Sequence, residues 1–160
     1  MFEHMEEKEA VKIATLIEEN GYAFYKNMAK KTDDKVVKAT FERLAEEESR
    51  HMKIIEEKFY PEVGFGDLIT EEEIDMEEHV DHTTNPKIFA MNIDMEKLVH
   101  SIDSVRKAIL LAVQAERYAA KFFEGLAGKA ETEDGRQMYQ SLVEEEKGHA
   151  RALVALLDTL

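Results

Sequence analysis

The sequence contains no cysteine. That absence removes disulfide bonds, thiolate zinc sites and iron–sulfur clusters from what these residues can build. Proline and glycine are scarce, two and seven in 160 residues, so little interrupts regular structure. Valine and isoleucine never alternate with polar residues over strand length, which removes the β signal. No apolar run approaches the roughly 20 residues that span a bilayer. The start, Met1-Phe2-Glu3-His4-Met5-Glu6-Glu7, is acidic and lacks the basic stretch and apolar core of a signal peptide. Positive charge is short as well: 21 Lys and Arg face 35 Asp and Glu, a formal net charge of −14. Nucleic-acid and anionic-membrane surfaces need Lys/Arg patches, so neither partner is expected. The expectation is a soluble cytoplasmic protein.

Lys, Glu, Ala, Leu and Met dominate, the residues that lose least on entering a helix. The class is all-α. A first helix reads from about residue 6 to Lys31 and stops at Thr32-Asp33-Asp34, whose polar side chains can cap a second helix reaching about Phe59 before Pro61. So short a link makes the pair an antiparallel hairpin. Residues 60–102 read as a long crossover with two short helices at most: Gly64-Phe65-Gly66 is loop, Thr70-Glu71-Glu72-Glu73 looks like a capped helix start, and Asn85-Pro86 is a turn. Asp103 or Ser104 caps a third long helix reaching about Lys129. A polar link from Ala130 to Gly135 leads to a fourth that runs nearly to Leu160. Two hairpins, about 6–59 and 103–160, joined by one long crossover make a ferritin-like four-helix bundle. A lone two-helix hairpin is too small to hold a core, so residues 1–160 are expected to form one domain.

The hairpins repeat each other at a constant offset of 98 residues. Val11, Ala14, Glu18, Gly21, Tyr25 and Met28 answer to Ile109, Ala112, Glu116, Ala119, Phe123 and Leu126. Phe41, Leu44, Glu48, His51 and Ile55 answer to Tyr139, Leu142, Glu146, His149 and Leu153. Each series steps alternately by three and four residues, the stripe a helix turns toward its bundle partners. Four glutamates and two histidines therefore stand where leucines belong.

Carboxylates on that stripe are costly. Desolvating one costs several kcal/mol without a partner, and four together repel one another. Two divalent cations relieve both costs and turn metal binding into folding stability. In Glu48-x-x-His51 and Glu146-x-x-His149 the two side chains lie one turn apart on one face. Glu18 and Glu116 approach from the facing helices. A glutamate from each of two helices plus Glu-x-x-His from each of the other two is the di-iron carboxylate ligand set. Oxygen and imidazole donors without sulfur suit iron or manganese, and zinc can bind too. Glu-x-x-His alone is weak evidence in so glutamate-rich a chain; the matched offset and the stripe positions carry the weight.

Neighbouring residues are less decided. Glu19 competes with Glu18 for the inward position, and the match to Glu116 favours Glu18. Glu46, Glu47, Glu144 and Glu145 are solvated or flank the site. Tyr25 and Phe123, each seven residues after its glutamate, read first as core, with Tyr25 the catalytic candidate; Tyr22 and Tyr139 are further candidates for lying near the metals. Gly21 and Ala119 leave room for a small oxidant or mark a close helix contact. His4, His79, His82 and His100 have no counterparts at the offset. His79 and His82 lie in an acidic segment that reads as solvated loop or short helix rather than a metal site.

The stretches Ile17 to Tyr25, Leu44 to His51, Ala115-Glu116 through Phe122-Phe123 and Glu144 to His149 resemble the rubrerythrin branch of the ferritin-like superfamily. The resemblance covers both hairpins but not the crossover. It implies an oxidoreductase whose di-iron pair reduces hydrogen peroxide or dioxygen with electrons from an external donor, and a homodimer. Glu18, Glu48, Glu116 and Glu146 would be ligands, at least two of them bridging, with His51 and His149 on one metal each. Two features depart from the family's usual pattern. No cysteine-ligated iron domain is present here. Ala119 also stands where the family carries an extra glutamate that helps one iron change ligands. The alternatives are a protein that binds, senses, oxidises or stores iron without catalysis, and a structural bundle whose polar stripe only sets register.

Overall fold

The computed structural model describes residues 7–58 and 85–160. Among them are five α-helices, one 3-10 turn and no strand. Helix α1 spans Glu7–Lys31, α2 Lys35–Lys58, α3 Met95–Ser101, α4 Val105–Lys129 and α5 Glu133–Leu157, with the 3-10 turn at Ile88–Ala90. No helix among these residues is long and apolar enough to cross a membrane.

Each start has a local cause. Asp34 Oδ1 accepts from the amides of Val36 and Val37 at 2.9 and 3.1 Å and starts α2. Asp94 does the same for α3 through Glu96 and Lys97. Of the two candidates for α4, Ser104 is the cap, its hydroxyl accepting from the Lys107 amide. Thr132 caps α5 by accepting from the Gly135 amide at 3.0 Å. The link between α4 and α5 is therefore shorter than the sequence suggested, and Gly135 lies inside the helix. A Cβ there would stand 3.0 Å from the capping oxygen, so glycine leaves the cap its space. Such caps contribute about 1 kcal/mol each by satisfying amides the helix cannot.

Helices α1 and α2 pack as one hairpin and α4 and α5 as the other. Between the hairpins α1 meets α4 and α2 meets α5. This is the ferritin-like bundle expected from the repeat. Its core is built from the repeating stripe and the positions beside it: Ile17, Phe24, Met28, Phe41, Leu44 and Ile55 from the first hairpin, and Ile109, Phe122, Phe123, Leu142 and Leu153 from the second, all below 2% exposed. Each such side chain contributes roughly 1.5–3 kcal/mol by leaving water.

The described end of the crossover is tied to α1. The Asn85-Pro86 turn forms as expected, with the Ile88 amide donating to the Asn85 carbonyl at 3.1 Å. Asn20 donates to the carbonyls of Phe89 (2.8 Å) and Met91 (2.6 Å). Lys31 donates to those of Val99 and Ile102 at the end of α3. Phe89 closes over the bundle, 5.4 Å from the Phe24 ring and 5.9 Å from the Tyr25 ring. The segments read as loop at Gly64–Gly66 and as a helix start at Thr70 lie outside the described residues, as do His4, His79 and His82. His100 is exposed.

Candidate metal centre

All six stripe residues turn inward and meet. Glu18, His51 and Glu116 are fully buried, Glu48 and Glu146 are 1% exposed and His149 is 4% exposed. Glu19 is exposed, which decides the inward position for Glu18. The carboxylates and imidazoles interlock across the hairpins. His51 Nδ1 lies 3.2 Å from Glu18 Oε2 and 3.1 Å from Glu146 Oε1. His149 Nδ1 lies 2.9 Å from Glu48 Oε1 and 3.4 Å from Glu116 Oε2. The two imidazoles stand nearly parallel, 10° apart, with centroids at 5.6 Å. The near two-fold symmetry of the sequence is thus a symmetry of the site.

Two overlapping quartets have donor atoms close enough to hold a metal ion: Glu18, Glu48, His51 and Glu146, then Glu48, Glu116, Glu146 and His149. Close as these atoms are, several pairs lack hydrogen-bond alignment. One atom of each residue has no hydrogen-bond partner: Glu18 Oε1, Glu48 Oε1, His51 Nε2, Glu116 Oε2, Glu146 Oε1 and His149 Nδ1. Orphaned buried polar atoms cost about 1–3 kcal/mol each, more when charged. His51 Nε2 is turned to Glu145, but the four orphaned carboxylate oxygens together with His149 Nδ1 mark a cluster suited to surround something positively charged.

The electrostatics agree. Burial pushes Glu18 up to about 8, with Glu116 adding to the rise and a hydrogen bond from Glu48 opposing it. Burial and then the neighbouring carboxylates hold Glu48 and Glu146 well above the usual carboxylate range. Glu116 goes the other way: against the effect of burial, hydrogen bonds with Glu146, His149 and Tyr25 bring it down to about 2. His149, which burial alone would lower, is raised to about 11 by Glu116 and Glu48. Protons thus supply the positive charge that divalent cations would bring, and binding those cations would release them.

The sequence offered two readings of the flanking carboxylates, solvated or beside the site, and the structure separates them. Glu46 and Glu144 are exposed. Glu47 Oε2 lies 2.7 Å from His149 Nε2, and Glu145 meets His51 Nε2. With Nε2 turned to a carboxylate, each ring presents Nδ1 inward. The facing His51 imidazole draws Glu145 below the usual carboxylate range. The signal was present in the sequence: Glu47 and Glu145 also stand 98 residues apart.

Tyr25 fills core, as expected, and also reaches the centre, its hydroxyl donating to Glu116 Oε1 at 2.6 Å. Burial and the facing Glu116 push that hydroxyl well above the ordinary tyrosine range. Tyr22 is half-buried and Tyr139 buried in the core. Of the two readings of Gly21, close contact is the one realised: a Cβ there would sit 3.2 Å from Glu48 Cδ, so glycine makes room for a carboxylate.

The family model for rubrerythrin matches residues 9–157, nearly the whole chain and every residue of the cluster. The chain belongs to the rubrerythrin family. No curated protein matches it. Among solved structures it is similar to a hypothetical protein from Pyrococcus furiosus, with 21% identity over 98% of this chain and 93% of the other, and a TM-score of 0.74. That likeness concerns the fold. Within the rubrerythrin family, a buried carboxylate–histidine cluster of this kind fits metal binding through oxygen and nitrogen donors.

Proposed function

We propose that the chain is an oxidoreductase that reduces hydrogen peroxide or dioxygen at two iron ions held by Glu18, Glu48, His51, Glu116, Glu146 and His149. The observation that carries this reading is the pair of overlapping quartets of buried donors, whose four carboxylates each keep an oxygen without a hydrogen-bond partner. Glu48 and Glu146 belong to both quartets and are the bridging candidates, while Glu18 with His51 and Glu116 with His149 complete one position each. Four carboxylates balance two divalent cations, and the donor set suits iron or manganese, with zinc also able to bind. When bound, the ions supply the electrons and stabilise the charge that develops on oxygen.

The remaining work falls to the chain. Glu47 and Glu145 orient the imidazoles. The packed rings of Phe24, Phe41 and Phe123 exclude water from the interior. A cleft of about 320 Å³ between α2 and α5, lined by Arg43, Glu47, Glu145, Gly148, His149 and Ala152, offers a small oxidant its approach. Electrons come from an external donor, and the working unit in this reading is a cytoplasmic homodimer.

A competing reading, iron binding or oxidation without turnover, draws on Ala119, which is fully buried and offers no further ligand where the family carries one. Rapid mixing of the iron(II)-loaded chain with peroxide separates the outcomes. Oxidation well above the rate of free iron(II), repeated over many cycles with an added reductant, supports the enzyme. A single stoichiometric oxidation supports the binder. A rate no better than free iron(II) removes both redox roles.

A further inference from the structure

The ligands obey the 98-residue repeat, but the outer faces of the two hairpins do not. A groove of about 620 Å³ runs between α4 and α5 and is lined by those two helices alone. Ala120, Ala150 and Val154 give it an apolar strip, and Arg117, Lys121, Lys147 and Arg151 border that strip. Glu124 engages Lys147 at 3.1 Å. Arg117, Lys121 and Arg151 are exposed and carry no ion pair among the described residues. Asp158 is the other carboxylate on the rim. In a chain of net charge −14, three free cations beside an apolar strip run against the average. At the matching places of the first hairpin stand Glu19 for Arg117, Ala23 for Lys121, Lys53 for Arg151 and Glu56 for Val154. The repeat therefore holds for the ligands and fails on this face, whose charges the two-metal centre does not itself require.

Two further observations bear on what the groove meets. Four large apolar side chains stand exposed among the described residues: Val36, Leu110, Val154 and Leu160. The Lys147–Glu124 pair sets the antiparallel register of the hairpin, which brings Leu110 and Leu160 to the end where Val154 lies. Three of the four therefore belong to one end of this face. The groove also backs directly onto the centre. Arg117 follows Glu116, Lys147 follows Glu146, and Ala150 and Arg151 follow His149. Its helix turns are those whose inner sides hold three of the six donors, so about one helix diameter, roughly 10–12 Å, separates the groove from the centre.

We propose that the α4–α5 groove is the docking site of the external electron donor, a small acidic carrier protein whose carboxylates surround an apolar patch. The inference rests on the redox reading above. Arg117, Lys121 and Arg151 meet the carboxylates and steer the approach, while Ala150 and Val154 receive the apolar patch. Reducing one hydrogen peroxide to two waters takes two electrons and two protons. Two one-electron carriers must therefore bind, be oxidised and depart in turn. A shallow, charge-steered surface suits a partner that has to leave, since electron-transfer encounters bury less than about 1,200 Å².

Isothermal titration calorimetry tests the surface apart from any turnover. Oxidised flavodoxin and a plant-type ferredoxin, both acidic carriers, are titrated into the full chain loaded with manganese(II). At least one is expected to bind saturably at low salt and to weaken steeply as salt rises. Combining Arg117→Glu, Lys121→Glu and Arg151→Glu should weaken it by about tenfold or more. Lys53→Glu, at the matching place on the first hairpin, should leave it nearly unchanged. If the triple variant does not fold, Arg151→Glu alone gives the same reading at smaller size. Failure of both carriers to bind, or binding that the reversals leave unchanged, would overturn the inference, as would an equal loss in Lys53→Glu. Peroxide turnover by the iron-loaded chain with reduced methyl viologen, a small donor that needs no docking surface, reads the reaction separately. Its absence in the wild type would refute the redox reading beneath the inference. Its survival in the triple variant, with carrier-driven turnover lost, would place the defect at the groove.

Discussion

Replacing Glu48 by glutamine should change the stability of the chain in opposite directions with and without metal. Glu48 is buried, and desolvation together with Glu18 and Glu116 holds its carboxyl well above the ordinary value of 4.5. A carboxyl with a raised folded pKa contributes its full stability below the unfolded value and loses it as pH rises toward the folded one. Keeping Glu48 protonated in the fold, while the unfolded chain ionises it, costs about 1.4 kcal/mol for each pH unit between the unfolded and the raised folded value. Glutamine imitates the protonated group and carries no such cost. In chelator the variant should therefore unfold later, by about 2–4 °C for each kcal/mol so relieved in a chain of this size. The gain should shrink by about 1.4 kcal/mol for each unit the pH is lowered. With metal the order reverses. A bound ion at a hundred times its Kd adds about 2.7 kcal/mol, and Glu48 belongs to both quartets, so its loss weakens both positions. Calorimetric scans in chelator and in manganese(II), at two pH values, read all of this. A variant that is less stable than wild type in chelator near pH 7 would show that the converging carboxylates are not in conflict, and the argument for a metal would lose its energetic footing.

Three further outcomes follow from the same geometry. Gly21→Ala places a methyl 3.2 Å from Glu48 Cδ; metal affinity should fall by roughly tenfold or more, while melting in chelator barely moves because alanine favours the helix. Glu47→Gln and Glu145→Gln, which replace the carboxylates facing His149 and His51, should each weaken metal binding by about 10–100-fold in competition titrations without displacing a ligand. Loading should also release protons in weakly buffered solution near pH 7, among them those on Glu18, held at about 8, and His149, held at about 11; release of none would mean that the cluster does not exchange protons for metal.

The long helices and the convergence of the six donors could be read from spacing because donors replaced apolar residues on a stripe of known period. Glu48 and His51 are conspicuous where Leu44 and Ile55 set the expectation. Glu47 and Glu145 escaped assignment for the opposite reason: one residue before a ligand, they lie off the stripe and look like any solvated glutamate until the partner hairpin is in place. Tyr25 could not be assigned because a tyrosine on the stripe satisfies the core with its ring, and only the position of Glu116 shows what its hydroxyl does. Helix α3 is seven residues long, too short for a period to declare itself. The end of the link before α5 was overextended because Gly135 reads as loop, whereas the Thr132 cap makes it the third residue of the helix.

Each imidazole faces one glutamate of its own hairpin and one of the other, so neither quartet is complete within half of the chain. The seam between the hairpins is polar at its centre, while each hairpin is closed internally by aromatic and aliphatic contacts. Stripped of metal, the chain should loosen like a book opening along its spine, with both covers intact. Hydrogen exchange would then quicken first at amides on the inner faces of α2 and α5 around His51 and His149, and a bound metal pair would act as the clasp.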